Sequence, residues 1–193
     1  MTARRSYRLG RRGEAAEETR RRIVEATFAL HNEQGVVATS MKQIAERAGV
    51  SIGTVYHHFP TYEDAIRACG SHAEQIGRAP DPAALLAIPD RAARVRRLTA
   101  EVFGFYERLP GYARVRADQD QVPLVRAFVR AEEENRAAMV RAAVGPDLPP
   151  EDRVQVIAAI LDVAVYQALV RAGFTTPGAA AEVAEIILAS LGD

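Results

Sequence analysis

Residues 40–59 read SMKQIAERAGVSIGTVYHHF, and their pattern decides the fold. Ser40 followed three residues later by Gln43 is the pair that makes a reciprocal helix N-cap. Ile44, Ala45 and Ala48 then share one helical face. Gly49 ends this helix, because glycine enters the left-handed backbone region without steric cost. Val50-Ser51 opens a second short helix that runs to His57, and Pro60-Thr61 closes the unit. Two short helices joined by a glycine turn predict a helix-turn-helix. Val55 joins Ile44 and Val50 on the inner face. Ile52, Gly53, Thr54, Tyr56 and His57 are left facing outward, and they do not make sense as a core.

Working outward, Ile23, Ala26, Phe28 and Leu30 recur at helical spacing between Thr19 and Gln34, and Gly35 stops that helix. Thr61 with Asp64 starts a helix that continues to about Gly77. Asp81-Pro82 reads as an N-cap followed by a proline at the first helical position. Residues 90–108 carry Val95, Leu98, Val102 and Tyr106 before the break at Pro110-Gly111. Residues 123–144, 151–172 and 176–191 read as three further helices, the middle one the most apolar. No alternating apolar run or Asn-Gly turn suggests a strand. The expected fold is all-α: an N-terminal three-helix unit holding the helix-turn-helix, then a C-terminal helical bundle. The expected divisions are a disordered basic arm over 1–16, a helix-turn-helix domain over 17–67, and a ligand-binding and dimerisation domain over 68–193.

The chain has 193 residues, with 25 basic and 25 acidic side chains. That balance hides an asymmetry. Residues 1–60 hold ten Lys/Arg against six Asp/Glu, a net +4, and the remainder carries −4. A basic front and an acidic back predict that only the front meets a polyanion. The single cysteine, Cys69, allows no intrachain disulfide and fits a reducing compartment. The basic start is followed by no apolar stretch, so no signal peptide is expected. No apolar run reaches the ~18 residues of a membrane span. The expected location is cytoplasmic, with no membrane partner.

The helix-turn-helix region resembles the tetracycline-repressor (TetR) family of transcription regulators. Ile23 and Ala26, Gly35, Thr39-Ser40, Ile44-Ala45, Ala48-Gly49-Val50-Ser51 and Thr54-Val55-Tyr56-His57-His58-Phe59-Pro60 carry the resemblance. It is specific over residues 19–67. It implies double-stranded DNA with a palindromic operator as the partner. The expected DNA-contacting residues are Thr39, Ser40, Lys42, Gln43, Ile52, Gly53, Thr54, Tyr56, His57 and Tyr62. The Thr54 and Tyr56 hydroxyls suit phosphate oxygens, while Lys42 and His57 suit base edges. Two positions depart from the family pattern. His31 stands where an aromatic is frequent, and Tyr62 stands where a phosphate-holding lysine is usual. Arginines 4–12 are expected to compensate from the minor groove.

Helix 151–172 is apolar nearly all round, which predicts burial on two sides. The resemblance implies that helices 151–172 and 177–191 pair across a two-fold axis into a homodimer. It also implies a small-molecule effector, with Phe103, Tyr106, Tyr112, Phe128, Asp162 and Tyr166 as candidate contacts. Asp162 lies in an apolar run and needs a partner. Two readings stay open for it: an arginine across an interface, or an anchor for the effector. Glu132-Glu133-Glu134 between Arg130 and Arg136 reads as a solvated face. His57-His58 and Cys69/His72 are too sparse for a metal, and no cofactor is expected. No nucleophile or phosphate-cradling motif is present, so no enzyme is expected. The leading expectation is a repressor released by its effector. The alternative is a DNA-binding regulator controlled by a protein partner, without a small ligand.

Overall fold

The computed structural model describes residues 3–78, 80–145 and 150–192, with side chains described from Gly13 onward. The chain divides into two compact units, 1–73 and 74–193. The boundary thus falls six residues beyond the expected one at 67. The described residues contain helices and no strand, as expected.

The first unit comprises α1 (Ala3–Gln34), α2 (Met41–Ala48), α3 (Ile52–His58) and all but the last four residues of α4 (Tyr62–Gly77). Ile23, Ala26 and Leu30 of α1 pack with Ile44 and Ala45 of α2, Val55 of α3, Phe59 and Ala65. Each large side chain in such a cluster stabilises by roughly 1.5–3 kcal/mol relative to exposure. Gly49 has φ +66°. Its amide donates to Glu46 O, and the Val50 amide reaches back to Ala45 O. That is the Schellman arrangement, which turns the chain sharply into α3.

The expected disordered arm over 1–16 is corrected: α1 already begins at Ala3. The sequence there shows no periodic apolar face, but it also lacks proline, and Ala, Arg, Glu and Leu are good helix formers. Once the packed half of α1 has nucleated, extension costs little per residue. The expected minor-groove role of the arginines at 4–12 concerns side chains outside the described ones.

The second unit comprises α5 (Pro82–Leu86), α6 (Arg91–Arg108), α7 (Tyr112–Ala117), a 3-10 turn (Asp118–Asp120), α8 (Pro123–Val144), α9 (Glu151–Ile160), α10 (Val163–Arg171) and α11 (Thr176–Leu191). Leu98, Val102, Phe103 and Tyr106 of α6 form the centre of its core with Val140, Ile157, Leu161, Val183 and Ile187. Buried Ala179, Ala180 and Ala184 give α11 a small-residue face where it lies along α6. The buried Arg94 guanidinium donates to the carbonyls of Ile88, Pro89, Ala143 and Val144, which satisfies the C-terminal end of α8. Gly145 (φ +87°) follows directly, and a Cβ there would lie 2.7 Å from Arg94 Nη2.

The expected single helix over 151–172 is corrected to two helices, α9 and α10, bent by 42°. Asp162 makes the break. Its backbone is extended and its Oδ1 accepts the Ala164 amide, so it caps α10. Helix α7, missing from the sequence reading, is too short to show a period. No single helix among the described residues is long and apolar enough to cross a membrane.

Candidate nucleic-acid interface and buried charge cluster

Val55 is fully buried and pins α3, so the opposite face of that short helix must be exposed. Ile52 and Tyr56 are 45% and 48% exposed, unusual for such large side chains in a packed unit. Gly53 and His57 are exposed beside them. Ser51 caps α3 by accepting the Thr54 amide, and its hydroxyl lies 2.8 Å from Thr54 Oγ1. Thr54 is therefore half-buried, with its hydroxyl already paired to Ser51. At the start of α2, Gln43 N donates to Ser40 Oγ and Ser40 N donates to Gln43 Oε1, the reciprocal box expected from the sequence. Lys42 is well exposed and 3.9 Å from Glu46.

Two of the expected DNA contacts point the other way. Thr39 is buried; its hydroxyl donates to Gly35 O at 2.7 Å and accepts from Gln34 Nε2. Tyr62 is half-buried, and its hydroxyl donates to Val36 O at 2.7 Å while 2.9 Å from His31 Nε2. Both hydroxyls tie the α1–α2 connection together, where backbone carbonyls need donors. The exposed set is thus Ser40, Lys42, Ile52, Gly53, Tyr56 and His57.

In the second unit the charges converge. Arg136 is only 4% exposed. Its Nη1 donates to Glu132 Oε1 at 2.7 Å and to Tyr106 Oη at 3.1 Å, and its Nη2 to Asp162 Oδ2 at 3.2 Å. Arg116 lies 3.2 Å from Asp162, 3.5 Å from Glu132 and 2.5 Å from Glu133. Asp162 therefore does have arginine partners, but they belong to its own chain. Burial pushes the Glu132 carboxyl up, against the pull of Arg136 and Arg116. Burial likewise pushes the Tyr106 and Tyr112 hydroxyls up. The reading of 132–134 as a solvated face holds for Glu133 and Glu134, both exposed, and is corrected for Glu132, which with Arg136 lies on the buried stripe of Val125, Val129 and Val140. That spacing was the available signal.

The aromatic candidates divide. Phe103 and Tyr166 rings are 5.3 Å apart, Tyr106 and Tyr166 5.8 Å, and Tyr106 and Tyr112 5.4 Å. Phe128 is instead exposed on α8 and joins none of these ring contacts. Among the described residues no three His, Cys, Asp or Glu side chains are grouped to hold a metal ion.

Residues 23–69 match the model of the tetR family of bacterial regulatory proteins. This segment, which holds the helix-turn-helix, is a tetR-family DNA-binding segment. The chain is similar to the HTH-type transcriptional repressor KstR of Mycolicibacterium smegmatis, 41% identical over 73 residues, 37% of this chain and 36% of that protein. It is also similar to the regulator AcrR of Shigella flexneri, 43% identical over 49 residues, 25% of this chain and 23% of that one. The match thus spans about a third or less of those relatives' length. A tetR-family regulator from Streptomyces coelicolor superposes with a TM-score of 0.67 at 20% identity, over 90% of this chain and 80% of that one. NalD, the secondary repressor of the MexAB-OprM efflux pump in Pseudomonas aeruginosa, gives 0.61 at 23% identity, over 91% and 96%. At these identities the likeness extends the tetR-family fold over both units.

Proposed function

We propose that the chain is a sequence-specific, double-stranded-DNA-binding regulator of transcription, acting as a repressor that a small molecule releases from its operator. The observation that carries this reading is the outer face of α3, where Ile52, Gly53, Tyr56 and His57 stand exposed on a helix anchored by Val55. A helix so presented fits the major groove, about 12 Å wide. Lys42 and Ser40 at the start of α2 suit the flanking contacts. The tetR-family segment over residues 23–69 and the repressors among the relatives support the same reading.

A palindromic operator needs two such helices ~34–36 Å apart, hence two copies of the chain. The apolar side chains left exposed on α9, α10 and α11, namely Val156, Val170 and Ile186, support pairing of these helices with a second copy. The effector is placed among Phe103, Tyr106, Tyr112 and Tyr166. Coupling between effector and operator is reciprocal, so each weakens the other by the same factor. A repressor working on chromosomal DNA belongs in the cytoplasm of a bacterial cell.

Gel-shift titrations separate the roles on the α2–α3 surface. Tyr56→Phe weakens all duplexes about equally, as loss of a phosphate contact does, whereas Lys42→Ala shifts the sequence preference. Absence of any duplex binding by the intact chain would overturn the reading.

A further inference from the structure

The cations of the first unit are not used alike. Among the described side chains, Arg21 pairs with Glu18 and Glu25, and Arg47 with Glu33. Arg22 donates to Ala48 O, and Lys42 lies 3.9 Å from Glu46. Of the lysines and arginines there, Arg20 and Arg67 alone have no oxygen partner among the described residues. Both line one open groove of about 500 Å³, together with His58, Phe59, Asp64 and Ser71. Two guanidiniums against one carboxylate leave the groove net positive.

The packing keeps both cations available. Phe59 is buried, and the Arg20 guanidinium stands 5.2 Å over its ring. A ring face attracts the cation without using up its in-plane N–H donors. Asp64 Oδ2 accepts from the Thr61 amide and hydroxyl, which holds this carboxylate at the start of α4. The groove also begins where the outer face of α3 stops. His57 is exposed on that face, and its ring centroid lies 5.4 Å from that of His58, which lines the groove. A helix seated in the major groove, about 12 Å wide, ends within reach of the sugar-phosphate backbone. Unpaired guanidiniums beside the last turn of α3 suit phosphate oxygens, which they bind with paired N–H donors.

We propose that Arg20 and Arg67 grip the phosphate backbone of the bound duplex in this groove, beyond the outer face of α3. The inference rests on the DNA-binding reading above and adds two contacts to it. Such contacts fix the register of the protein on the duplex and carry no sequence information.

The intact protein is titrated by fluorescence anisotropy with two duplexes of unrelated sequence, over a range of salt concentrations. Each duplex has roughly 30 base pairs, enough for two half-sites one helical turn apart. Arg20→Gln and Arg67→Gln each weaken both duplexes roughly threefold to tenfold, and lower the slope of log affinity against log salt by about 1 per bound chain. Arg20→Lys restores most of the slope, because the charge returns. Arg67 is exposed on α4, so Arg67→Gln leaves the Arg20–Phe59 contact in place. Arg21→Gln removes the same charge from a cation already paired, and leaves the slope unchanged. An unaltered slope in either groove variant, or an equal loss in Arg21→Gln, would overturn the proposal. So would a melting midpoint that inorganic phosphate raises in the wild type but not in Arg20→Gln, with duplex binding the same in both, which gives the groove to a free anion. No duplex binding by the wild type defeats the DNA-binding reading itself; wild-type binding with unaltered variant slopes defeats this inference alone.

Discussion

The His31 imidazole Nε2 lies 2.9 Å from the Tyr62 hydroxyl. These are the two positions at which the resemblance implied a departure from the family pattern, and their side chains meet. The tyrosine hydrogen goes to Val36 O, since a carbonyl cannot donate. The Nε2 position must therefore carry the hydrogen shared with Tyr62. On the other side, Nδ1 is 3.4 Å from Cys69 Sγ. Burial pushes the Cys69 thiol up to about 12, so it keeps its hydrogen and gives it to Nδ1. The result is a one-way chain of hydrogen bonds from Cys69 of α4 through His31 of α1 to Tyr62 and Val36.

Tyr62→Phe removes the middle of that chain and takes one hydrogen bond each from His31 and the Val36 carbonyl. The expected loss of stability is about 1–3 kcal/mol. Affinity for duplex DNA should hardly change for the protein that remains folded. A urea melt paired with fluorescence anisotropy on DNA checks both, and a selective loss of DNA affinity at full stability would return Tyr62 to the phosphate contacts.

Cys69 should resist thiol reagents in the native protein at pH 8 and react fully after unfolding, with a native labelling rate that follows local opening. The pH dependence has a definite sign. The thiol sits above its ordinary value of 9.0 when folded. Its contribution to stability is complete below pH ~9 and is lost as the pH rises from there towards about 12. Rapid labelling of the native protein at pH 8 would contradict the buried, hydrogen-bonded thiol.

Asp162 combines two duties, capping α10 and facing Arg116 and Arg136. Asp162→Ala loses both and should cost about 2–4 kcal/mol, less than a fully orphaned buried pair because Glu132 remains on Arg136. Asp162→Asn keeps a capping oxygen and should cost less. Since both arginines belong to the same chain, sedimentation should show no change of oligomeric state for Asp162→Asn. A dissociated assembly would place its partner across an interface.

Ser40→Ala breaks the reciprocal box with Gln43, which should lower stability by about 1 kcal/mol. Thermal melts of the two proteins measure it.

How much of this was legible depends on how local each signal is. Ser40, Gln43, Gly49 and Ser51 act on neighbours within five residues, so the caps and the turn could be read directly from their order. The exposed face of α3 followed from knowing where Val55 must go. The break at Asp162 could not be read, because apolar residues continue on both sides and the guanidiniums that hold its carboxylate come from positions 116 and 136. The intrachain bonds of Thr39 and Tyr62 were hidden for a related reason: a hydroxyl on a boundary position serves a carbonyl or a phosphate equally well, and only the path of the α1–α2 connection shows the carbonyls of Gly35 and Val36 within reach. Glu132 and Arg136 were read by charge alone, although their spacing from Val125, Val129 and Val140 put them on the buried stripe. Phe128 shows the converse, an aromatic at helical spacing that faces outward.

The most direct measurement is selection of bound duplexes from a fully randomised DNA library by the intact protein. The account predicts enrichment of an inverted repeat whose half-sites are centred one helical turn apart, ~34–36 Å, with His57→Ala altering the preferred bases and Tyr56→Phe leaving them unchanged. Recovery of no preferred sequence, or a preference indifferent to every exposed residue of α3, would contradict it.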